Sequence, residues 1–145
     1  MNQQKQEATM KQQETPKEDV TADIPPHAED YIEEPIDLNT LLVYRPAATY
    51  FVRVSGDSMI GAGIQSGDIL VVDKSLDAKD GSIIIAELGG DFTVKQFQHW
   101  KDGSVWLVPA NPRFQPINVM GRAGFSIWGV VTANIHQFVR ERIRK

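Results

Sequence analysis

The sequence predicts a mostly β domain, a twisted antiparallel sheet, that follows a flexible N-terminal arm. From residue 49 onward, short segments rich in Val, Ile and Phe alternate with turns rich in Gly, Asn and Pro, which is typical of strands. No rhythm of strands and long helices accompanies them, so a parallel βαβ sheet is not expected. Residues 1–30 differ in composition from all that follows, and this shift marks the end of the arm.

Residues 1–30 contain no aromatic residue and few large aliphatic ones, and they are dense in Gln, Glu and Lys. Such a segment cannot bury enough apolar surface to offset the entropy lost on ordering. We therefore expect a flexible arm over 1–30 and a β-rich domain over 31–145. At 145 residues the chain suits a single domain of this kind.

The ordered part is predicted to begin with a short helix. Asp37 is a suitable N-cap for it, and the helix should extend through Tyr44 and end before Pro46, because the residue before proline avoids the helical region. The Gly89-Gly90 pair predicts a tight hairpin. The predicted strands cover residues 50–54, 69–73, 82–88, 92–100, 105–109, 117–119 and 125–138.

Composition excludes several classes of protein. The net charge of -4 gives no general attraction to nucleic acid, and no direct sequence-specific binding to it is expected. Zero cysteines exclude disulfides and thiol nucleophiles, and the three histidines lack ligand spacing, so neither a metal nor another cofactor is expected. No apolar run is long enough to span a membrane and no signal peptide is evident, which favours a cytoplasmic protein.

Ser58 and Lys95 are the candidate catalytic residues. Ser58 lies in a Gly-Asp turn, and Lys95 lies in an apolar strand-like segment. Taken alone, each has an ordinary interpretation, since serine is a common turn former and a strand lysine usually faces water. Together they suggest a serine nucleophile with a lysine general base, which requires that the lysine be neutral.

A neutral lysine requires burial. The ordinary lysine pKa lies near 10.4, and lowering it to about 7 or 8 corresponds to a penalty of roughly 3 to 5 kcal/mol on the charged form. Strand alternation places Lys95 on one face with Thr93 and Phe97, so it is enclosed if that face is covered.

The segment around Ser58 resembles the signature of the LexA/UmuD family of self-cleaving serine peptidases. In that family the nucleophile lies in a Gly-x-Ser-Met turn that precedes a Gly-Asp-hydrophobic strand, and this chain has Gly56-Asp57-Ser58-Met59 and then Gly67-Asp68 before an apolar run. The likeness is to the UmuD branch, because about 30 residues are too few and too polar for the helix-turn-helix domain of LexA-type repressors. Further similar segments lie at residues 30–33, 36–42, 46–52, 92–95 and 129–131.

The resemblance implies the roles of the site residues. Ser58 attacks the scissile carbonyl, Lys95 takes its proton, and the backbone N–H groups of Asp57 and Ser58 stabilise the oxyanion. The substrate is the protein's own arm. The corresponding bond is Ala22–Asp23, where Asp23 replaces the glycine that the family places after the cleaved bond.

The resemblance also implies the biological setting. Cleavage would be stimulated by a RecA-type filament on single-stranded DNA after DNA damage. The shortened homodimer would then serve as a subunit of an error-prone translesion polymerase of the UmuC-like Y family. A second interpretation stays open because of Asp23: a dimeric binding module that regulates such a polymerase without cleaving itself.

Overall fold

The computed structural model describes residues 29, 32 and 34–139. The chain divides into two units, Met1–Ile36 and Asp37–Lys145, and all of the described strands lie in the second. The predicted arm, apart from residue 29, and the Ala22–Asp23 bond lie outside the described residues. The division into an arm over 1–30 and a domain over 31–145 therefore stays a prediction.

The second unit begins with a one-turn helix, α1, over Leu38–Leu42. The Asp37 side chain caps it by accepting a hydrogen bond of 3.0 Å from the Asn39 N–H. The predicted extension through Tyr44 is wrong, because Val43 already has extended backbone angles (φ -122°, ψ 95°). A short 3-10 turn, Pro46–Ala48, then leads into the first strand.

Seven strands form one antiparallel sheet, which confirms the predicted fold class. The order across the sheet is β1-β2-β7-β3-β4-β5-β6, so the C-terminal strand pairs between β2 and β3. The strand bounds are β1 Thr49–Arg53, β2 Ile69–Asp73, β3 Ile83–Leu88, β4 Asp91–His99, β5 Val105–Val108, β6 Ile117–Asn118 and β7 Phe125–Ile135.

The β3–β4 hairpin follows the sequence prediction. Gly89 and Gly90 both have positive φ, 61° and 91°, which a two-residue type I′ turn requires. Leu88 and Asp91 are the first paired residues on either side of the turn. The register set there continues along the hairpin and pairs Lys95 with Ile84.

Apolar side chains pack against both faces of the sheet. Neighbouring residues of β3 show this directly, because Ile84 and Ile85 belong to different clusters of the core. The first cluster contains Val54, Met59, Ile64, Leu70, Val72 and Ile85. The second contains Ile84, Ala86, Phe97, Leu107, Val119 and Val130.

A buried carboxylate joins the end of β7 to the turn before β2. Asp68 is 1% exposed and accepts hydrogen bonds from the Gln65 N–H, Asn134 Nδ2 and His136 Nδ1. Burial by itself would raise the pKa of Asp68, but these bonds outweigh it and lower the pKa to about 2. Asp68 is therefore a structural anchor, and it is the aspartate of the Gly-Asp pair that precedes the apolar strand.

We predict that Gly129→Ala destabilises the sheet. A Cβ at position 129 would lie 2.6 Å from Cγ1 of Val72 on the neighbouring strand. Relieving that overlap should cost about 1 to 3 kcal/mol of unfolding free energy, measured by urea denaturation. Ser126→Ala, at an exposed position of the same strand, is the control and should change the unfolding free energy by less than about 0.5 kcal/mol. Equal stabilities for the two variants would contradict the packing assigned to Gly129.

Candidate active site

Ser58 lies in the connection between β1 and the short 3-10 turn Ile60–Ala62. Gly56 allows the chain to reverse there, because its φ is 99°, and its N–H donates to Ser66 Oγ at 3.2 Å. On the other side of Ser58, the Met59 side chain is only 2% exposed and packs in the first core cluster, which anchors the turn. The hydroxyl of Ser58 is thereby held at the edge of the core.

Lys95 reaches Ser58 from β4. Its Nζ lies 3.1 Å from Ser58 Oγ and 2.5 Å from Thr93 Oγ1, and Lys95 as a whole is 9% exposed. The structure thus brings the two candidate residues into hydrogen-bonding distance. Two fixed contacts hold the amine, so a proton transfer between Oγ and Nζ needs little rearrangement.

Desolvation shifts the pKa of the Lys95 amine. Burial lowers the pKa of its amine below the ordinary value of 10.5. Within residues 34–139, no carboxylate forms an ion pair with Lys95 that would oppose this shift. The environment therefore favours the neutral amine, which is the form able to accept a proton from Ser58.

Thr93 is a site residue to which sequence reasoning gave no role. Strand alternation predicts only that Thr93 shares a face with Lys95. In the structure the Thr93 hydroxyl accepts a hydrogen bond from Lys95 Nζ. One N–H of the Lys95 amine points at Thr93 Oγ1. This bond restricts rotation of the amine and so limits where its other hydrogens and its lone pair can point. The i, i+2 spacing on a strand is the signal that could have identified it.

A cleft of about 250 Å³ opens beside Ser58. One wall comes from the end of β1 and the turn after it, and the other from the start of β4. Its lining is mainly apolar, which suits an extended peptide with small side chains. The lining residues are Val52, Arg53, Val54, Ser55, Ser58, Leu70, Ile85, Phe92, Thr93 and Val94.

The candidate oxyanion donors lie in the same turn. In the part of the chain that the structure describes, the N–H groups of Asp57 and Ser58 make no hydrogen bond to another backbone group. The carbonyl groups of these two residues are both occupied, by Asn111 Nδ2 and by the Ala110 N–H, each at 2.9 Å. Sequence reasoning did not find the 110–111 segment.

A family model described as Peptidase S24-like matches residues 15–132, the span that includes Ser58, Lys95 and the whole cleft. The chain belongs to this peptidase family. The match confirms the resemblance to the LexA/UmuD group that the turn around Ser58 indicated.

Individual relatives agree with the family match. Protein SamA of Salmonella typhimurium strain LT2 is 46% identical over 116 residues, which cover 80% of this chain and 79% of SamA. Protein ImpA of Salmonella typhimurium is 43% identical over 119 residues, with 80% and 78% covered. A LexA repressor of Pseudomonas chlororaphis is 42% identical over 101 residues, 69% of this chain but only 48% of the repressor.

Two further features of the described residues bear on other classes of site. None of their helices is both long and apolar enough to cross a membrane. The same residues contain no group of three or more His, Asp or Glu side chains that could hold a metal ion.

We predict that the cost of burying Lys95 appears as a pH dependence of stability. Because the folded pKa is lowered, the Lys95 side chain of the unfolded chain binds more protons between that pKa and 10.5, so the Lys95 contribution to wild-type stability rises with pH across this window. Lys95→Met removes the titrating group. The difference in unfolding free energy between Lys95→Met and wild type should therefore fall as pH rises, measured by urea denaturation at a series of pH values.

Lys101→Met supplies the control for that series. Lys101 lies exposed in the turn between β4 and β5, so its variant should follow the wild-type stability at every pH. A difference between Lys95→Met and wild type that stayed constant with pH would contradict a desolvated amine at position 95.

Proposed function

We propose that this chain is a self-processing serine peptidase that removes its own N-terminal arm with a Ser58–Lys95 dyad. The observation that carries the proposal is the 3.1 Å contact between Lys95 Nζ and Ser58 Oγ, made by a lysine whose pKa is lowered by burial. Membership of the S24-like peptidase family supports the same chemistry.

The geometry suits a two-step acyl transfer. Neutral Lys95 removes the Ser58 proton while Oγ attacks the scissile carbonyl carbon, and the resulting oxyanion is stabilised by the N–H groups of Asp57 and Ser58. The Lys95 ammonium then gives its proton to the leaving amine as the peptide bond breaks. In the second step Lys95 removes a proton from water as the water oxygen attacks the acyl carbon, and the Lys95 ammonium returns that proton to Ser58 Oγ as the ester bond breaks.

The proposed substrate is the Ala22–Asp23 bond of the arm. Ala22 is a small apolar residue, in keeping with a mainly apolar cleft between β1 and β4. Asp23 is larger than the glycine of the family pattern and carries a charge, which is costly to desolvate near an apolar wall. We therefore expect slower cleavage than a glycine at position 23 would give.

We place this activity in the response to DNA damage. A RecA-type filament on single-stranded DNA would stimulate cleavage, and the shortened homodimer would act with a UmuC-like Y-family polymerase in translesion synthesis. The edge strand β1 supports dimer formation, because among the described strands it pairs with β2 alone, and Phe51 on it is 58% exposed. The LexA/UmuD membership of the chain supports the remainder.

Asp23 favours a second candidate function. If the charged residue keeps the arm out of the cleft, the chain is a dimeric binding module that regulates a translesion polymerase and does not cleave itself. The two candidates differ in one observable, the appearance of a shortened chain when Lys95 is made neutral.

We predict that purified protein incubated at alkaline pH yields a fragment, and that Ser58→Ala and Lys95→Ala each reduce the rate by on the order of 10³ or more. Raising the pH deprotonates Lys95 without an activator. Ser126→Ala and Lys101→Ala, at exposed positions, are matched controls and should cleave like wild type. Mass spectrometry of the fragment locates the bond.

Each outcome of that incubation has one meaning. Cleavage retained by either dyad variant would overturn the assignment of Ser58 and Lys95. A fragment that begins elsewhere than at Asp23 would overturn the proposed bond only. An intact wild-type chain at every pH would favour the binding module.

A further inference from the structure

We propose that Asn111 is a positioning residue of the peptidase site, which aims the Ser58 N–H at the oxyanion by holding the Asp57 carbonyl. The inference rests on the proposed function, and it adds a residue from a distant loop to the machinery. Asn111 follows β5 and is only 6% exposed, which is unusual for an asparagine in a loop.

Residues 110 and 111, here called the clamp, form three hydrogen bonds with residues 55–61 around Ser58, here called the nucleophile turn. Asn111 Nδ2 donates to the Asp57 carbonyl at 2.9 Å, and the Ala110 N–H donates to the Ser58 carbonyl at 2.9 Å. The Gly61 N–H donates in turn to the Ala110 carbonyl at 2.7 Å. The approach is close, since a Cβ on Gly61 would lie 2.6 Å from the Ala110 oxygen.

The direction of the Ser58 N–H follows from peptide geometry. The bond between Asp57 and Ser58 is trans, since none of the described peptide bonds is cis. In a trans peptide the C=O of one residue and the N–H of the next point in opposite directions. Because Asn111 draws the Asp57 carbonyl to the clamp side, the Ser58 N–H points away from the clamp.

Of the three hydrogen bonds between the clamp and the nucleophile turn, only the one from Asn111 Nδ2 is made by a side chain. The Ala110 bonds are made by backbone groups, so they persist in most variants of the clamp. Asn111 also has a second contact, since its Oδ1 accepts from the Arg113 N–H at 3.0 Å, which fixes the orientation of the amide. The nearest alternative donor to the Asp57 carbonyl is the Ile60 N–H at 3.4 Å. Without Asn111, the Asp57–Ser58 peptide loses its principal restraint.

A positioning role and a general structural role predict different changes in the pH profile of self-cleavage. In the described part of the chain no hydrogen bond joins Asn111 to Lys95, whose amine is held by Thr93 and Ser58. Removing the Asp57 bond should therefore lower the rate reached at high pH and leave the midpoint of the profile unchanged. Misplacement of a catalytic group by about 1 Å can cost about 10²-fold, so we expect a loss on the order of 10- to 100-fold.

The experiment compares full-length wild type with Asn111→Ala, Asn111→Asp and Asn118→Asp. Asn111→Asp retains an oxygen able to accept from the Arg113 N–H but lacks the donor to Asp57, so it separates the two contacts. Asn118 makes a similar bond, to the Met120 N–H at 3.0 Å, at an exposed position, so Asn118→Asp is the matched control. Thermal unfolding of each variant shows whether it is folded at the assay temperature.

Reaction of Ser58 with a fluorophosphonate provides a second readout that does not need the arm. The Ser58 Oγ–P bond forms, the P–F bond breaks, fluoride leaves and the serine proton passes to Lys95. The phosphonyl oxygen takes the place of the substrate oxyanion, so the rate of labelling, followed by mass spectrometry, depends on the direction of the Ser58 N–H.

We expect both Asn111 variants to lose rate in cleavage and in labelling, with an unshifted midpoint for Asn111→Ala and wild-type rates for Asn118→Asp. Rates within about threefold of wild type, or a loss that appears as a shifted midpoint, would overturn the inference and leave the proposed function standing. If the wild-type chain were labelled but not cleaved, self-processing would fail and labelling alone would decide the role of Asn111. A wild-type chain that was neither cleaved nor labelled would overturn both.

Discussion

Desolvation of the Lys95 amine is the constraint on which the rest of the site depends. An exposed lysine would be protonated and could not take a proton from Ser58. Lys95 lies on β4, an interior strand of the sheet, and is paired in register with Ile84 of β3. The hydroxyls of Thr93 and Ser58 occupy the space around Nζ. The proposed chemistry thus depends on a polar group that the fold buries at a cost in free energy.

This constraint explains why the nucleophile turn is so firmly attached. A buried lysine tends to restore its hydration, and a loose turn over it would admit water. Met59 anchors the turn in the core, Gly56 is tied to Ser66, and the clamp holds the carbonyls of Asp57 and Ser58. These contacts keep the cover over Lys95 in place and fix the backbone N–H groups of the same turn. Burial of the proposed base and orientation of the proposed oxyanion donors are two results of one packing arrangement.

Structural features that depend on neighbouring residues in the chain could be predicted from the sequence. The Gly89-Gly90 turn fixes a hairpin by its own backbone preferences, and strand alternation places Lys95 with Thr93. The sequence predicts too long an α1, because the backbone already becomes extended at Val43, three residues before Pro46. The position of β7 between β2 and β3 depends on the packing of the whole sheet, so no local pattern specifies it.

The contacts that were not predicted join residues distant in the chain. The folded sheet brings Asn111 to Asp57 and His136 to Asp68. An asparagine between Ala110 and Pro112 reads as an ordinary turn residue, and a histidine near the end of a strand reads as an exposed one. Their partners are carbonyl and carboxylate oxygens that no spacing rule connects to them. Burial gives these bonds their importance, and burial is a property of the assembled fold.

The most direct test of the central claim is the pKa of Lys95 itself, measured by NMR titration of the lysine side chains. The measurement uses the full chain with Ser58→Ala, so that no cleavage occurs, and Lys95→Met identifies the signal. We expect one lysine that titrates below 10.5, separated from the exposed lysines. A Lys95 signal that titrated together with the exposed lysines would contradict it, because the amine would then be charged at neutral pH and unable to act as the base.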